Sequence, residues 1–166
     1  FELWQIPLFI LLGVLCGLMA WYFTSMNSRV GGFFKSIDKQ YKKWLWGGAI
    51  LGILIFVFPP LYGEGYEGFT SLMHGNAQEL FNNSLFYRFR DIDWVIILFV
   101  IATMFFKVIA MSTTNAAGGV GGTFAPSLFV GAFTGASLAL VCNTLFGWEV
   151  SIVSFTLVGM AGGMSG

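Results

Sequence analysis

The chain has 166 residues, 57% of them hydrophobic and 10% charged, with a mean hydropathy of +0.79. That is more apolar surface than a water-soluble core of this size can bury, so the matching solvent is a bilayer. Eight basic and eight acidic residues cancel, and the basic residues are not gathered into one long tract, so neither a nucleic-acid-binding surface nor an acidic tail is suggested.

From Leu8 to Phe23 no residue is charged, and apolar character runs to Met26. At 1.5 Å per residue, roughly 20 such residues cross a hydrocarbon core, and a first membrane helix is expected here. Arg29, Lys35, Lys39, Lys42 and Lys43 follow, against Asp38 alone. Short basic segments between spans stay on the cytoplasmic side, which places residues 29–43 inside the cell.

Trp44 to Phe58 is again uncharged and predicts a second helix running outward. Gly47, Gly48 and Gly52 thin one of its faces for close contact, and Pro59-Pro60 ends it. Residues 61–93 differ in kind. Gly63, Gly65 and Gly68 break the chain, acids stand at Glu64, Glu67 and Glu79, and Asn82-Asn83 adds turn character, as expected of an outer interface. A short amphipathic or re-entrant helix around Phe69 to Phe81 fits the pattern but is too short to span.

Trp94 to Met111 predicts a third long helix, interrupted only by Lys107, which at that depth either snorkels or faces a cavity. Thr113-Thr114-Asn115-Ala116-Ala117-Gly118-Gly119-Val120-Gly121-Gly122 then forms an uncharged, Gly-rich break, and a fourth helix is expected from Phe124 to Phe146. After a turn at Gly147-Trp148-Glu149, apolar character resumes at Val150 as the start of a fifth helix. The chain begins at Phe1 and stops in a Gly-rich stretch at Gly166, as expected of a piece of a longer protein. No internal repeat is visible, and without alternating strands the fold class is all-α integral membrane.

A ten-residue break between hydrophobic helices cannot face lipid, where each unpaired backbone group costs several kcal/mol; it lines protein or a water-filled cavity. Its glycines let the main chain approach a ligand closely, and without acids or bases the backbone amides are its main polar groups. Pro126 in the first turn of the following helix suits a helix start, because the donor it lacks is an orphan there anyway. The amides of Thr123 and Phe124 then point off the helix end. Free donors at the positive end of a helix dipole make an anion site weak enough for passage. Neither nucleotide motif fits: a P-loop needs Lys after the final glycine, where Thr123 stands, and a dinucleotide fingerprint from Gly119 fails at Phe124. The competing reading is a membrane scaffold or oligomerisation subunit, whose glycines, including Gly131 and Gly135 in G-x-x-x-G spacing, serve helix crossing alone.

Gly122-Thr123-Phe124-Ala125-Pro126, preceded by Gly118-Gly119-Val120-Gly121 and followed by Ser127-Leu128-Phe129-Val130-Gly131-Ala132, closely resembles the GxFxP signature of the CLC family of chloride channels and transporters. The likeness extends to Lys107 and the Thr-rich helix end, to Tyr62-Gly63-Glu64-Gly65-Tyr66, and to Val158-Gly159-Met160-Ala161-Gly162. It implies that residues 1–166 are part of a CLC-type inverted-repeat helical bundle with discontinuous helices, from the family's helix J to the start of helix O in the second repeat. It also implies that Thr123 and Phe124 bind chloride through their amides, with Gly122, Thr123, Phe124, Ala125 and Pro126 as the selectivity-filter motif. The family's serine loop, gating glutamate, internal proton glutamate and distal tyrosine have no counterpart in this sequence.

The resemblance further implies a homodimer in a bilayer, completed by the rest of the membrane domain, with chloride as transported ligand and no cofactor. The Gly-rich loop is most similar to bacterial members, which favours a proton-coupled antiporter in a bacterial inner membrane over a passive voltage-gated channel. No nucleophile, base and orienting group can be assembled for an enzyme, and no metal site is expected. His74 reads as a surface residue, Glu64 and Glu67 as solvated loop acids, Trp44, Trp46, Trp94 and Trp148 as interfacial anchors, and Cys16 and Cys142 as small buried hydrophobes.

Overall fold

The computed structural model describes residues 3–62, 66–74, 76–82, 84–89 and 91–165. Among the described residues six α-helices carry the fold: α1 (Ile6–Lys35), α2 (Gln40–Val57), α3 (Tyr66–Met73), α4 (Asp93–Ala116), α5 (Phe124–Phe146) and α6 (Ile152–Ser165). Short 3-10 turns lie at Leu3–Gln5, Pro59–Leu61, Ala77–Phe81 and Tyr87–Phe89. No strand occurs among the described residues, and the chain has the all-helical character of an integral membrane fold.

α1, α4 and α5 are long and apolar enough to cross a membrane. α2 is not among them: its 18 residues begin with Lys42 and Lys43 inside the first turn and a half, leaving an apolar run from Trp44 to Val57 that covers only about 21 Å of a hydrocarbon core roughly 30 Å thick. α6 is a shorter apolar helix of 14 residues. In α4 and α5, 61% of the apolar window is buried inside the protein, against 22% in α1, so the first two form the centre and α1 turns most of its surface outward. Val100, Val108, Ala132, Phe133 and Ala136 meet at that centre, and Leu72 and Phe81 close it from the segment between α2 and α4.

α5 and α6 touch through their backbones. A Cβ on Gly131 would collide with the carbonyl of Gly159, and one on Gly135 with the carbonyl of Phe155; one on Gly163 would lie 2.8 Å from both the Gly131 Cα and the Ser127 carbonyl oxygen. In lipid, where apolar burial gives helices no reason to associate, such close approach and its dispersion gain hold a pair together. Asn143 fixes the turn between them: its Nδ2 donates to the Val150 carbonyl at 3.1 Å, and its Oδ1 accepts from the Val150 amide at 2.8 Å.

Three expectations need correction. The third helix runs on to Ala116, so Thr113 to Ala116 belong to α4 and the break shortens to residues 117–123. The reason is local: the Thr114 hydroxyl donates to the Ala110 carbonyl at 2.9 Å, which satisfies inside the helix a side chain that otherwise favours a turn. The helix expected over Phe69 to Phe81 is instead two pieces, α3 and the turn Ala77–Phe81. Of the α2 glycines only Gly47 makes a close contact, where a Cβ would sit 2.6 Å from the Ala117 Cβ; Gly48 and Gly52 have nothing within 4 Å.

Replacing Gly135 by Leu is therefore expected to drive α5 off α6 and lower stability by about 1–3 kcal/mol or more, while Gly52→Ala, which meets nothing, does not lower it and raises it by at most about 1 kcal/mol. Unfolding midpoints of the detergent-solubilised full-length protein read the difference. Equal midpoints would contradict the backbone-level packing.

Candidate anion site

The end of α4 is closed by its own backbone. Gly118 adopts φ +98°, and its amide donates to the Asn115 carbonyl at 3.2 Å while the Gly119 amide donates to the Thr114 carbonyl at 2.8 Å. These paired bonds around a left-handed glycine form a Schellman cap, which takes the Thr114 and Asn115 carbonyls in the last turn of the helix. A side chain at Gly118 would meet both the backbone penalty and Gln40, whose Nε2 lies 2.8 Å from the Cβ position. Gln40 Nε2 also donates to the Ala117 carbonyl at 3.3 Å, so the first turn of α2 holds the beginning of the break.

The start of α5 is left open. Thr123 is the N-cap residue, in helical conformation (φ −85°, ψ −15°) and without a side-chain cap bond. The Ser127 amide is the first to bond back, to the Thr123 carbonyl at 3.1 Å. Pro126 has no amide proton, and the amides of Thr123, Phe124 and Ala125 have no protein acceptor among the described residues. Gly122, directly before them, has nothing within 4 Å of its Cβ position. Residues 118–124 are exposed, Phe124 at 60%.

Two cavities flank this helix start. A larger one of about 600 Å³ is lined by Gly122, Phe124, Asn115, Leu61 and Lys107 among others. A smaller one of about 250 Å³ lies between α1, α5 and α6, with Thr24, Thr123, Ser127 and Thr134 in its lining. The sequence-predicted pair is thus split by side chain: Phe124 faces the larger space, Thr123 the smaller, and their amides share the end of the helix.

Lys107 does not snorkel. It is 4% exposed, lines the larger cavity, and donates from Nζ to the Leu61 carbonyl at 3.1 Å, with the ammonium 5.1 Å from the centre of the Phe129 ring. A carbonyl and an aromatic face offset part of the cost of removing the charge from water. The partner lies 46 residues away in sequence, so nothing around Lys107 in the chain announces the contact.

The residues from which no chemistry is expected are placed as follows. His74 is exposed at the end of α3, its Nδ1 2.8 Å from the Thr70 carbonyl. Glu67 is exposed, while Glu64 lies outside the described residues. Cys16 and Cys142 are buried, and Trp44, Trp46, Trp94 and Trp148 are exposed at helix ends.

The family model described as voltage gated chloride channel matches residues 1–166. The chain belongs to the CLC family. Among curated proteins it is similar to chloride channel protein CLC-e of Arabidopsis thaliana, 29% identical over 98% of the chain and 23% of that relative. CLC-f of the same plant is 30% identical over 95% of the chain and 20% of its own length. A putative chloride channel protein, ClcB-like, of Ralstonia nicotianae is 26% identical over 95% and 33%. The CLC chain therefore spans a fifth to a third of these relatives, and no solved structure matches it.

In this CLC chain, Lys107→Met removes the donor to Leu61 and is expected to lower stability by about 1–3 kcal/mol, the cost of a buried carbonyl left unpaired. The unfolding midpoint of the full-length protein measures it. A midpoint equal to that of the native protein would show that the ammonium is not a tether.

Proposed function

We propose that the full-length protein moves chloride across a membrane by proton-coupled exchange, and that residues 1–166 contribute one wall of its anion site. The observation that carries this reading is the open start of α5. Three successive amides without a protein acceptor among the described residues stand beside an exposed glycine, in a chain whose family is that of chloride channels. In the interior of a membrane protein such donors are costly unless a ligand accepts from them, and the positive end of the helix dipole selects an anion.

Thr123 and Phe124 are the anion-binding residues in this account, acting through main chain rather than side chain, with Gly122, Ala125 and Pro126 shaping the approach. Partial charges without direct contact from a full cation keep binding weak enough for release. The exchange mode rests on the likeness of the Gly-rich loop to bacterial members, which also favours a bacterial inner membrane. The basic block at residues 29–43 orients the chain with that end in the cytoplasm. The remaining membrane domain of a longer homodimeric protein covers the exposed residues 118–124 and supplies the groups for gating and proton transfer.

Passive channel conduction is the alternative within the same site, and simultaneous recording of proton movement separates the two. A pure scaffold is disfavoured by packing: Gly131 and Gly135, through which it would associate, are already filled by α6.

Changing the Phe124 amide to an ester deletes one donor and keeps every side chain. In the full-length protein reconstituted in liposomes, this is expected to weaken chloride binding about tenfold or more, the usual worth of a hydrogen bond to a charged group, and to slow chloride flux at low chloride. Unaltered affinity and flux would remove the α5 amides from the mechanism.

A further inference from the structure

Charge is divided between the two ends of the bundle. Arg29, Lys35, Lys39, Lys42 and Lys43, with Asp38, occupy the end where α1 finishes and α2 begins. The hydrogen bond from Gln40 to Ala117 shows that α4 finishes, and the break lies, at that same end. Asp93 at the start of α4 and Glu149 after α5 mark the opposite end, and the segment that joins α2 to α4 there carries both signs, with Glu67, Glu79 and Asp91 beside Arg88. The break with its open amides is thus on the basic side of the protein.

One of these lysines is placed differently from the rest. The face of α2 that packs on the break is defined by three contacts. Gln40 reaches the Ala117 carbonyl, Trp44 Nε1 lies 3.5 Å from the Cβ position of Gly118, and Gly47 fits against Ala117. Lys43 is three residues after Gln40 and four before Gly47, which puts it on the flank of that same face. It is half-buried, whereas Lys35, Lys39 and Lys42 are exposed. Retention of a loop in the cytoplasm depends on how many basic residues it carries, not on the helix face they occupy. The three exposed lysines satisfy that count without Lys43.

We propose that the first two turns of α2 form the mouth through which small inorganic anions reach the break, with Lys43 supplying the capturing charge and Gln40 fixing its distance from Gly118. This rests on the reading of the α5 start as an anion site. An ammonium on a flexible four-carbon stem is a mobile point charge that draws in an anion without holding it in a rigid fork. From Lys43 the exposed residues 118–122, glycine at all but Val120, lead to the Thr123 and Phe124 amides, so a captured ion passes along main chain. The device acts on the rate of approach, and the amides act on affinity. The partner is a free anion in solution; the competing source of negative charge on this side is the lipid headgroup layer.

The test uses the full-length protein in phosphatidylcholine vesicles, its orientation read from thiol labelling at Ser36→Cys. Chloride is presented to the face bearing Lys43, at about 0.01 M and about 1 M ionic strength set with an impermeant salt, where the screening length falls from roughly 30 Å to 3 Å. Lys43→Gln is expected to slow chloride uptake about two- to threefold at low ionic strength, as for one charge near the path in water, with no difference at high ionic strength. Lys43→Arg restores the native rate, and Lys39→Gln has a smaller effect. A Lys43→Gln rate equal to native at low ionic strength would overturn the proposal. So would a deficit that persists undiminished at high ionic strength, which marks a structural role, or one that appears only after anionic lipid is added. Native protein that passes no chloride would overturn the proposed function and this inference together, whereas native flux with an ionic-strength-independent Lys43→Gln removes this inference alone.

Discussion

A main-chain amide or carbonyl inside a bilayer must find a partner, and the architecture is a set of answers to that requirement. Helices satisfy it internally along α1, α4 and α5, and the difficulty concentrates at their ends. At the end of α4 the chain supplies most of the answer: the Schellman bonds from Gly118 and Gly119 take the Asn115 and Thr114 carbonyls, and Gln40 takes the one at Ala117. At the start of α5 no answer comes from the described chain, because Thr123 makes no cap bond and Pro126 contributes no donor. A closed negative end followed within seven residues by an open positive end gives the break its polarity.

The surrounding packing keeps those open amides aimed. α5 cannot rotate or slide against α6 without pressing Gly131 or Gly135 into the backbone opposite, so the direction of its first turn is set by contacts one to three turns further along. Lys107 braces the other flank by joining α4 to Leu61 and lying beside Phe129 of α5. Its charge therefore stands in the same cavity wall as Phe124, held to a carbonyl, and the amides remain the groups with capacity to spare.

Much of this was legible in the sequence because it is local. The boundaries of α5 at Phe124 and Phe146 follow from the change between Gly-rich and apolar residues and from Pro126, and the helix end and αL glycine before it lie within five residues of each other. The end of α4 was misplaced because Thr113-Thr114-Asn115 has turn-forming composition, and only the bond from Thr114 to Ala110 shows that the helix absorbs it. Long-range facts were not readable at all. Lys107 could snorkel or face inward until Leu61 was found beside it, and Gly47 could be told from Gly48 and Gly52 only once α4 was packed against α2. The role of Lys43 has the same origin, since a block of basic residues does not say which of them faces the break.

The central claim is that main-chain donors at the start of α5, not a side-chain cation, hold the anion. Crystals of the full-length protein soaked in bromide test it most directly through anomalous scattering. The account predicts density within hydrogen-bonding range of the Thr123 and Phe124 amides, with no Lys or Arg in contact with the ion. Density against Lys107 in its place, or none at the break, would contradict it.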